Sequence, residues 1–343
     1  MRRVRALVIT EYGGPEVLKV EEWPDPEPGT GEVRVTVKAA GINFADLLAR
    51  MGLYQDAPKA PCVVGYEFAG EVESVGEGVT DVQPGDRVMG GCRFGGQSEL
   101  VVTGADNLVP LPDDWSYEEG AALPVVYATA YAGLIRYGSL REGERVLIQA
   151  AAGGVGIAAT QIAKLAGAGE IYGTASASKH DAIREFGVDH AIDYSATDFR
   201  KEVRRISGEK QPLDLILDGI GGSSFRKGWS LLRPGGRLVA IGASSVSGGD
   251  KRSLPKVARM LVGTPIFHPL AMMQSSRGFI GVNMLTLWDS KGSLDEFIEP
   301  LREWVESGKL RPVVAEAFPL DRGAHAHRFI QERKNVGKVV LTM

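Results

Sequence analysis

Short apolar runs bounded by glycine, proline and charged residues recur along the whole 343-residue chain, and their character changes near residue 124. Before that point the runs are β-like, and prolines and the Pro84-Gly-Asp86 turn separate them. The predicted strands are 5–10, 18–22, 32–40 and 69–75. We therefore predict a compact β-rich domain over residues 1–124.

After residue 124, helical patterns alternate with short buried strands, predicted at 145–149, 170–174, 190–192, 213–217, 237–241 and 279–282. This alternation predicts an α/β fold with a doubly wound parallel sheet over residues 125–288. The tail, residues 289–343, is predicted to fold back onto the first domain. Its predicted elements are helices 294–306 and 322–332 and a strand 338–342.

Composition narrows the classes of function. A net charge of −4, with 44% hydrophobic and 24% charged residues, is ordinary for a soluble protein and gives no electrostatic case for nucleic-acid binding. Two cysteines, Cys62 and Cys92, form neither a disulfide framework nor a metal-binding spacing, which suits the cytoplasm. No apolar run approaches the roughly 20 residues of a membrane span. The short apolar run after the basic start predicts a first strand rather than a signal peptide.

The most informative segment is 145–156, where a buried strand leads into a glycine-rich turn that opens a helix. Aligned with the dinucleotide-binding pattern G-x-G-x-x-G, its positions are Ala151, Gly153 and Gly156, so alanine replaces the first glycine. Gly153 is expected to let the backbone approach a pyrophosphate, and Gly156 to let the helix pack closely on the strand. The amides expected to face the phosphate are those of Gly154, Val155 and Gly156. The alternative is an ordinary glycine turn in an α/β core.

The residues after the second strand of this unit bear on which dinucleotide is bound. NAD-binding proteins place an acidic residue about 20 positions on, where it holds the ribose 2′-hydroxyl. Here the run Gly173-Thr-Ala-Ser-Ala-Ser-Lys-His180 contains no carboxylate before Asp181. Small hydroxyl side chains such as Ser176, together with Lys179, suit the extra phosphate of NADP. We predict NADPH as the cofactor; the alternative for Lys179 is a solvated lysine at a helix start.

Further motifs match one family over essentially the whole chain. They are Ala40-Gly-Ile-Asn-Phe-Ala-Asp46, Gly52-Leu-Tyr54, Gly65-Tyr-Glu-Phe-Ala-Gly70, Gly85-Asp-Arg-Val88, Ala150-Ala-Ala-Gly-Gly-Val-Gly156, Ile192-Asp-Tyr194, Gly219-Ile-Gly-Gly222 and Asn335-Val-Gly-Lys338. With them the chain resembles the medium-chain dehydrogenase/reductase superfamily, in its zinc-free quinone oxidoreductase branch, and within it the synaptic-vesicle amine transport protein homologue group. The resemblance implies a Rossmann domain joined to a β-rich GroES-like catalytic domain.

The resemblance also implies that no metal takes part. Where zinc alcohol dehydrogenases have a cysteine and a Gly-His-Glu motif, this chain has Ala40 and Tyr66, so two ligands are missing. His325 and His327 lie two apart on a predicted helix and are expected to be solvated rather than metal-bound. Without a Lewis acid, a quinone or an α,β-unsaturated carbonyl is an easier hydride acceptor than a simple ketone.

Three catalytic candidates follow from the resemblance. Tyr54 matches a tyrosine that orients or protonates the acceptor in related enoyl reductases, and its alternative is an aromatic residue in a loop wall. Asn43 matches a residue of the family's site that is suited to cofactor ribose or substrate oxygen. Asp46 also matches a site position, but it equally suits a cap for a helix over residues 47–51.

Further cofactor contacts are implied at Thr129, Tyr194, Asn335 and Gly242, each of the first three with a packing alternative. In the segment 244–274 we prefer a solvated basic helix followed by core. That helix carries Lys251, Arg252, Lys256 and Arg259. The sharper hypothesis is that three apolar side chains wall an acceptor pocket: Phe267, Met272 and Met273. The predicted strand 279–282 lies at the sheet edge, and exposed edges favour pairing. The resemblance implies that this edge pairs across a two-fold axis and forms a homodimer.

These expectations support one leading function and one alternative. The leading prediction is an NADPH-dependent, zinc-independent reductase that transfers hydride to a small electron-poor acceptor, either a quinone or an α,β-unsaturated carbonyl. The alternative is an NADPH-binding regulatory or membrane-traffic protein with vestigial catalysis.

Overall fold

The computed structural model describes residues 3–246 and 254–343, except for the side chains of Leu254 and Lys256. Lys251 and Arg252 therefore lie outside the described residues. The chain divides into two compact units: the first contains residues 3–126 and Leu285–Met343, and the second contains Tyr127–Val246 and 254–284. The predicted boundaries were 124/125 and 288/289.

The described residues form sixteen strands. They are β1 (Arg3–Ile9), β2 (Leu18–Pro24), β3 (Glu32–Ile42), β4 (Cys62–Val63), β5 (Glu67–Val75), β6 (Arg87–Gly91), β7 (Leu100–Gly104), β8 (Leu108–Pro110), β9 (Arg145–Ile148), β10 (Glu170–Ala175), β11 (His190–Asp193), β12 (Leu213–Asp218), β13 (Leu232–Ala240), β14 (Gly278–Gly281), β15 (Val314–Pro319) and β16 (Lys338–Thr342).

The same residues form thirteen α-helices. They are α1 (Phe44–Arg50), α2 (Tyr117–Gly120), α3 (Pro124–Tyr131), α4 (Gly154–Leu165), α5 (His180–Glu185), α6 (Phe199–Ser207), α7 (Ser223–Trp229), α8 (Leu254–Gly263), α9 (Pro269–Ser275), α10 (Met284–Lys291), α11 (Asp295–Ile298), α12 (Arg302–Glu306) and α13 (Gly323–Gln331). Across the described ranges, no helix has both the length and the apolar character required to cross a bilayer.

The first unit is built on a seven-stranded sheet with the order β15-β16-β3-β5-β6-β8, in which β7 also pairs with β3. A smaller sheet has the order β2-β1-β4. The tail strand β16 runs antiparallel to β3 and pairs Leu341 with Ala40. The tail therefore completes the sheet of the first unit. The paired segments, residues 39–42 of β3 and 339–341 of β16, are buried there.

The second unit contains a six-stranded sheet with the order β11-β10-β9-β12-β13-β14, and every neighbouring pair is parallel. Apolar runs such as Val146, Leu147 and Ile148 are fully buried, as expected when helices cover both faces of a parallel sheet. This is the doubly wound order, with its topological switch between β9 and β12. The predicted fold class is confirmed.

The hydrophobic pattern predicted most of the strands and helices, but not all of them and not always where they begin and end. The predicted helix 294–306 is wrong as one helix, because Pro300 lies in a 3₁₀ turn, Glu299–Leu301, that separates α11 from α12. Strands β4, β6, β7, β8 and β15 had no counterpart in the prediction. They are short, and two of them end at glycine, so they lack the long apolar run that marked the others.

Phe267 is partly buried and packs against the core of the second unit. Its ring stacks on Phe279 with centroids 4.1 Å apart and meets Trp229 at 4.8 Å. Met273, by contrast, is 72% exposed. These contacts favour the core interpretation of Phe267 over a shared acceptor pocket with Met273.

Candidate functional site

The turn between β9 and α4 presents backbone amides with no competing side chain. The N-cap of α4 is Gly153, with φ −76° and ψ 170°. Because glycine has no side chain, no side-chain hydrogen bond caps the start of this helix. The first amides of a helix have no acceptor within the helix, so those of Gly154, Val155 and Gly156 are available to an anion. The helix dipole adds to this preference for negative charge.

The two glycines of the turn have different roles. A Cβ added at Gly156 would lie 2.3 Å from the carbonyl oxygen of Ala150, so this position admits no side chain. A Cβ at Gly153 would meet no atom closer than 3.4 Å, so its backbone opens on free space. Close packing therefore requires Gly156, and the space beside Gly153 is where a phosphate can approach.

Two buried polar residues that the sequence analysis did not single out support this turn. The hydroxyl of Thr174 on β10 donates to Oε1 of Gln149 at 2.7 Å and accepts from the amide of Ala150 at 3.0 Å. Ala150 has a positive φ of 54°, which non-glycine residues adopt only where surrounding contacts hold them. The Nε2 atom of Gln149 is buried and makes no hydrogen bond.

The carboxyl end of β10 carries the residues predicted to accept a 2′-phosphate. Ala175 pairs with Asp193 on β11, so Ser176 and Tyr194 leave the sheet on neighbouring strands. Lys179 follows Ser176 by three residues and is half-buried. The first carboxylate downstream, Asp181, pairs with Arg184 at 3.0 Å, which provides it with a counter-charge on its own helix.

The other predicted cofactor residues lie in three separate segments. Thr129 is buried on α3, and Gly242 follows β13 by two residues. A Cβ at Gly242 would lie 3.3 Å from the carbonyl oxygen of Gly219, so this segment passes close to the end of β12. Asn335 donates through Nδ2 to the carbonyl of Gly337 at 2.8 Å, inside the turn that precedes β16.

In the first unit, a buried polar network surrounds Glu67. Its Oε1 accepts from Nζ of Lys338 at 2.5 Å and from Nδ2 of Asn43 at 2.8 Å, and its Oε2 accepts from the amide of Val125 at 2.7 Å. Lys338 also donates to Oδ1 of Asn43 at 2.6 Å. Glu67 is inaccessible and Lys338 is 3% exposed, so this ion pair is held in the interior.

Asp46 is the third residue of α1, and Asn43 is the N-cap. The helix therefore begins at Phe44 rather than at the predicted residue 47. The Asp46 carboxylate accepts from the amides of Asn43 and Gly65 and from Nε2 of Gln97, at 2.7, 3.2 and 3.1 Å. It is fully buried, and desolvation raises its pKa to about 7. This geometry favours the capping interpretation of Asp46.

Tyr54 belongs to an aromatic cluster. Its ring meets Tyr66 edge-on at 6.4 Å, and Tyr66 meets Phe94 at 5.3 Å. Burial, followed by the charges of Asp56 and Asp46, raises the pKa of Tyr54 to about 12. Burial also raises the pKa of Tyr66, whose hydroxyl is buried and unpaired. Both phenols therefore stay protonated at neutral pH and can act only as neutral donors or acceptors.

The expectation that His327 is solvated is wrong. His327 is fully buried on α13, and burial followed by the charge of Arg50 lowers its pKa well below the ordinary value. His325 is exposed, as predicted. The two-residue spacing separated the two faces of the helix but gave no information on which face packs against the sheet.

Two families match parts of the chain: residues 29–113 match the alcohol dehydrogenase GroES-like domain, and residues 186–341 match the zinc-binding dehydrogenase family. Despite the family's name, the residues at the zinc-ligand positions of this chain do not suit zinc. Ala40 has no donor atom, the Tyr66 phenol resists ionisation, and both oxygens of Glu67 already accept hydrogen bonds. In the parts of the chain that the structure covers, no three histidine, cysteine or acidic residues are grouped to hold a metal.

Relatives match nearly the full chain. The synaptic vesicle membrane protein VAT-1 homolog of Danio rerio is 42% identical over 98% of this chain and 70% of its own. The solved CurK enoyl reductase has a TM-score of 0.85 and 30% identity, with both chains fully covered. Escherichia coli quinone oxidoreductase, solved in complex with NADPH, has a TM-score of 0.85 and 29% identity over 99% of this chain and all of its own. The chain belongs to the medium-chain dehydrogenase/reductase superfamily, in its zinc-free quinone oxidoreductase branch, together with the VAT-1 homologues.

Proposed function

We propose that this protein is an NADPH-dependent, zinc-independent reductase that transfers hydride to quinones or α,β-unsaturated carbonyls. The observation that carries the proposal is the pairing of two features in the second unit. An uncapped helix start opens beside Gly153. Ser176 and Lys179 follow the end of β10, and the first carboxylate after that strand, Asp181, is already paired. The first feature suits a pyrophosphate, and the second suits a 2′-phosphate.

The residues that we propose to hold the cofactor are Asn43, Thr129, Gly153, Gly154, Val155, Gly156, Ser176, Lys179, Tyr194, Gly242 and Asn335. When bound, NADPH supplies the hydride. Lys179 provides a cation that a 2′-phosphate attracts and a 2′-hydroxyl does not, so it is the proposed determinant of cofactor preference. The unpaired Nε2 of Gln149 is a further donor at the end of β9.

Acceptor chemistry is assigned to the first unit. Hydride addition to a conjugated carbonyl moves negative charge onto the carbonyl oxygen, so the protein has to supply a hydrogen-bond donor or a proton there. Tyr54 is the proposed donor, because its raised pKa keeps the phenol protonated throughout the neutral range. Asn43 is proposed to orient cofactor or acceptor. Asp46 is proposed to hold Asn43 in place rather than to touch the acceptor, since its carboxylate is buried and already accepts three hydrogen bonds.

The solved relatives support this class of reaction, since one is described as an enoyl reductase and one as a quinone oxidoreductase complexed with NADPH. The VAT-1 homologues are described as synaptic vesicle membrane proteins, which favours the second candidate only weakly. That candidate is an NADPH-binding regulatory or membrane-traffic protein with vestigial catalysis.

One assay separates the two candidates. NADPH and NADH oxidation is followed at 340 nm with ortho-quinones, para-quinones and enones as acceptors, and binding of both dinucleotides is titrated in parallel. Turnover that prefers NADPH supports the reductase. Tight NADPH binding without turnover on any acceptor supports the regulator, and equal affinity for both dinucleotides contradicts the proposed role of Lys179.

We also propose a homodimer formed through β14, because this strand lies at the end of the six-stranded sheet and is paired only with β13 in the described sheet. Light scattering on the purified protein tests this through the molar mass. The buried free thiols of Cys62 and Cys92 are consistent with the reducing, cytoplasmic setting that we propose.

A further inference from the structure

Glu67 receives hydrogen bonds from three segments that are far apart in the sequence. Lys338 begins the tail strand β16, Asn43 caps α1, and Val125 lies in the first turn of α3. All three donors reach the same buried carboxylate, at 2.5, 2.8 and 2.7 Å. One side chain of β5 therefore fixes the relative position of the starts of α1 and α3 and of the tail strand.

The same contacts fix the orientation of the Asn43 amide. Lys338 donates to its Oδ1 at 2.6 Å, and its Nδ2 donates to Glu67 at 2.8 Å. A flipped amide would place its NH₂ group against an ammonium and its oxygen against a carboxylate, so the ion pair excludes the flipped state. The second Nδ2 hydrogen therefore has a fixed direction.

Each of the three segments also carries a residue of the proposed cofactor set. Asn43 is itself one of them, Asn335 precedes Lys338 by three residues, and Thr129 follows Val125 by four residues on the same helix. We propose that Glu67 and Lys338 are positioning residues for the dinucleotide, acting chiefly through the fixed orientation of Asn43. This inference rests on the proposed function, and nothing in it requires either residue to touch the cofactor.

A buried ion pair by itself adds little to the free energy of unfolding. Desolvation of two buried charges offsets much of their attraction, and a well-packed apolar pair of similar volume stabilises a core as well or better. An apolar pair would leave the Asn43 amide free to flip and would leave the Val125 amide without its acceptor. Orientation of the neighbours is what the charged pair provides and an apolar pair does not.

The test begins with Glu67→Gln, which keeps the size of the side chain. Glutamine has one acceptor oxygen and one NH₂ group, so it cannot accept from Asn43 and Lys338 on one side and from Val125 on the other. We expect the Kd and KM for NADPH to rise about tenfold, as for the loss of one hydrogen bond to a charged group. The matched control is Glu73→Gln, six residues along the same strand β5. Its partner Arg34 keeps Asp25 and Glu27, so the NADPH constants should not change.

A double-mutant cycle decides whether Glu67 acts through Asn43. In an Asn43→Ala background, the effect of Glu67→Gln on the Kd for NADPH should fall from tenfold to less than twofold. An undiminished tenfold effect, or an unchanged Kd with only a lower Tm, overturns the inference. Lys338→Met, combined with Asn43→Ala in the same way, replaces the Glu67 arm if Glu67→Gln does not fold.

The failure of this inference is distinguishable from the failure of the proposed function. If the wild-type protein binds NADPH and Glu67→Gln binds it equally well, the positioning role is wrong and the reductase proposal stands. If the wild-type protein binds neither NADPH nor NADH in the same fluorescence titration, the proposed function fails, and the positioning role falls with it.

Discussion

A single methyl group at Gly153 should weaken dinucleotide binding without unfolding the protein, whereas the same change at Gly156 should destabilise it. The Cβ of Gly153→Ala would lie 3.4 Å from the Ala150 oxygen, an ordinary contact, and φ at this position is −76°. The folding cost is then that of alanine at an N-cap, about 0.5–1 kcal/mol. The methyl group occupies the open space beside the helix amides, so the Kd for NADPH should rise at least tenfold, or about 1.4 kcal/mol.

At Gly156 the added Cβ would lie 2.3 Å from the Ala150 oxygen and 2.6 Å from the Ala151 carbonyl carbon. Backbone atoms cannot rotate away, so the turn at residues 150–151 and α4 have to separate by about an ångström. A contact this short costs about 3 kcal/mol, the upper end of the usual range for overpacking. The better helix propensity of alanine offsets about 1 kcal/mol of this. Gly156→Ala should therefore lower the free energy of unfolding measurably, and Gly153→Ala should lower it less.

The assay combines NADPH fluorescence titration with urea unfolding on the wild type and both variants at one pH and salt concentration. The informative quantity is the ratio of the binding loss to the stability loss, which should be large for Gly153→Ala. Wild-type affinity in Gly153→Ala would refute the assignment of this turn to phosphate binding, since the methyl group would then lie where no ligand approaches.

Three further predictions concern single side chains. Lys179→Glu should raise the Kd for NADPH by about 10–100-fold, the value of a charge-assisted contact, while the Kd for NADH changes little; parallel losses for both dinucleotides would contradict it. Tyr54→Phe should lower kcat by about 100-fold and leave the Kd for NADPH unchanged, measured by steady-state kinetics; an unaltered kcat would remove Tyr54 as donor. Asp46 has a folded pKa raised from 3.8 to about 7, so its contribution to stability is present below pH 3.8 and is lost as pH rises to about 7. The wild type should therefore lose about 4 kcal/mol relative to Asp46→Asn between pH 4 and 8, measured by urea unfolding across that range, and a constant difference would show that Asp46 keeps an ordinary pKa.

The sequence alone was sufficient for the elements whose signal is local. The strand β16 was predicted at its observed limits, 338–342, because a continuous apolar run follows a glycine turn. The α4 turn was located by its glycines, and the order of strands and helices indicated the doubly wound sheet. Each of these signals lies within a few residues of the element that it predicts, so the chain's distant contacts are not needed to recognise it.

Other features were decided by contacts between residues far apart in sequence. The ion pair of Glu67 with Lys338 joins the first residues of β5 and β16. A charged residue followed by apolar ones indicates a buried charge but does not identify its partner. His327 was predicted to be exposed because helical spacing separates the faces of a helix without showing which one packs inward.

From the sequence, Asp46 suits a helix cap and a site residue equally well. Both roles place it at the start of α1, and the sequence does not show which way its carboxylate points. Gly65 and Gln97, 19 and 51 residues away, supply two of the three donors that turn this carboxylate inward. The chain thus determined from local patterns where strands, helices and the phosphate turn lie. Only the tertiary structure determined which polar groups face each other, because burial and hydrogen bonding depend on residues that the sequence does not place side by side.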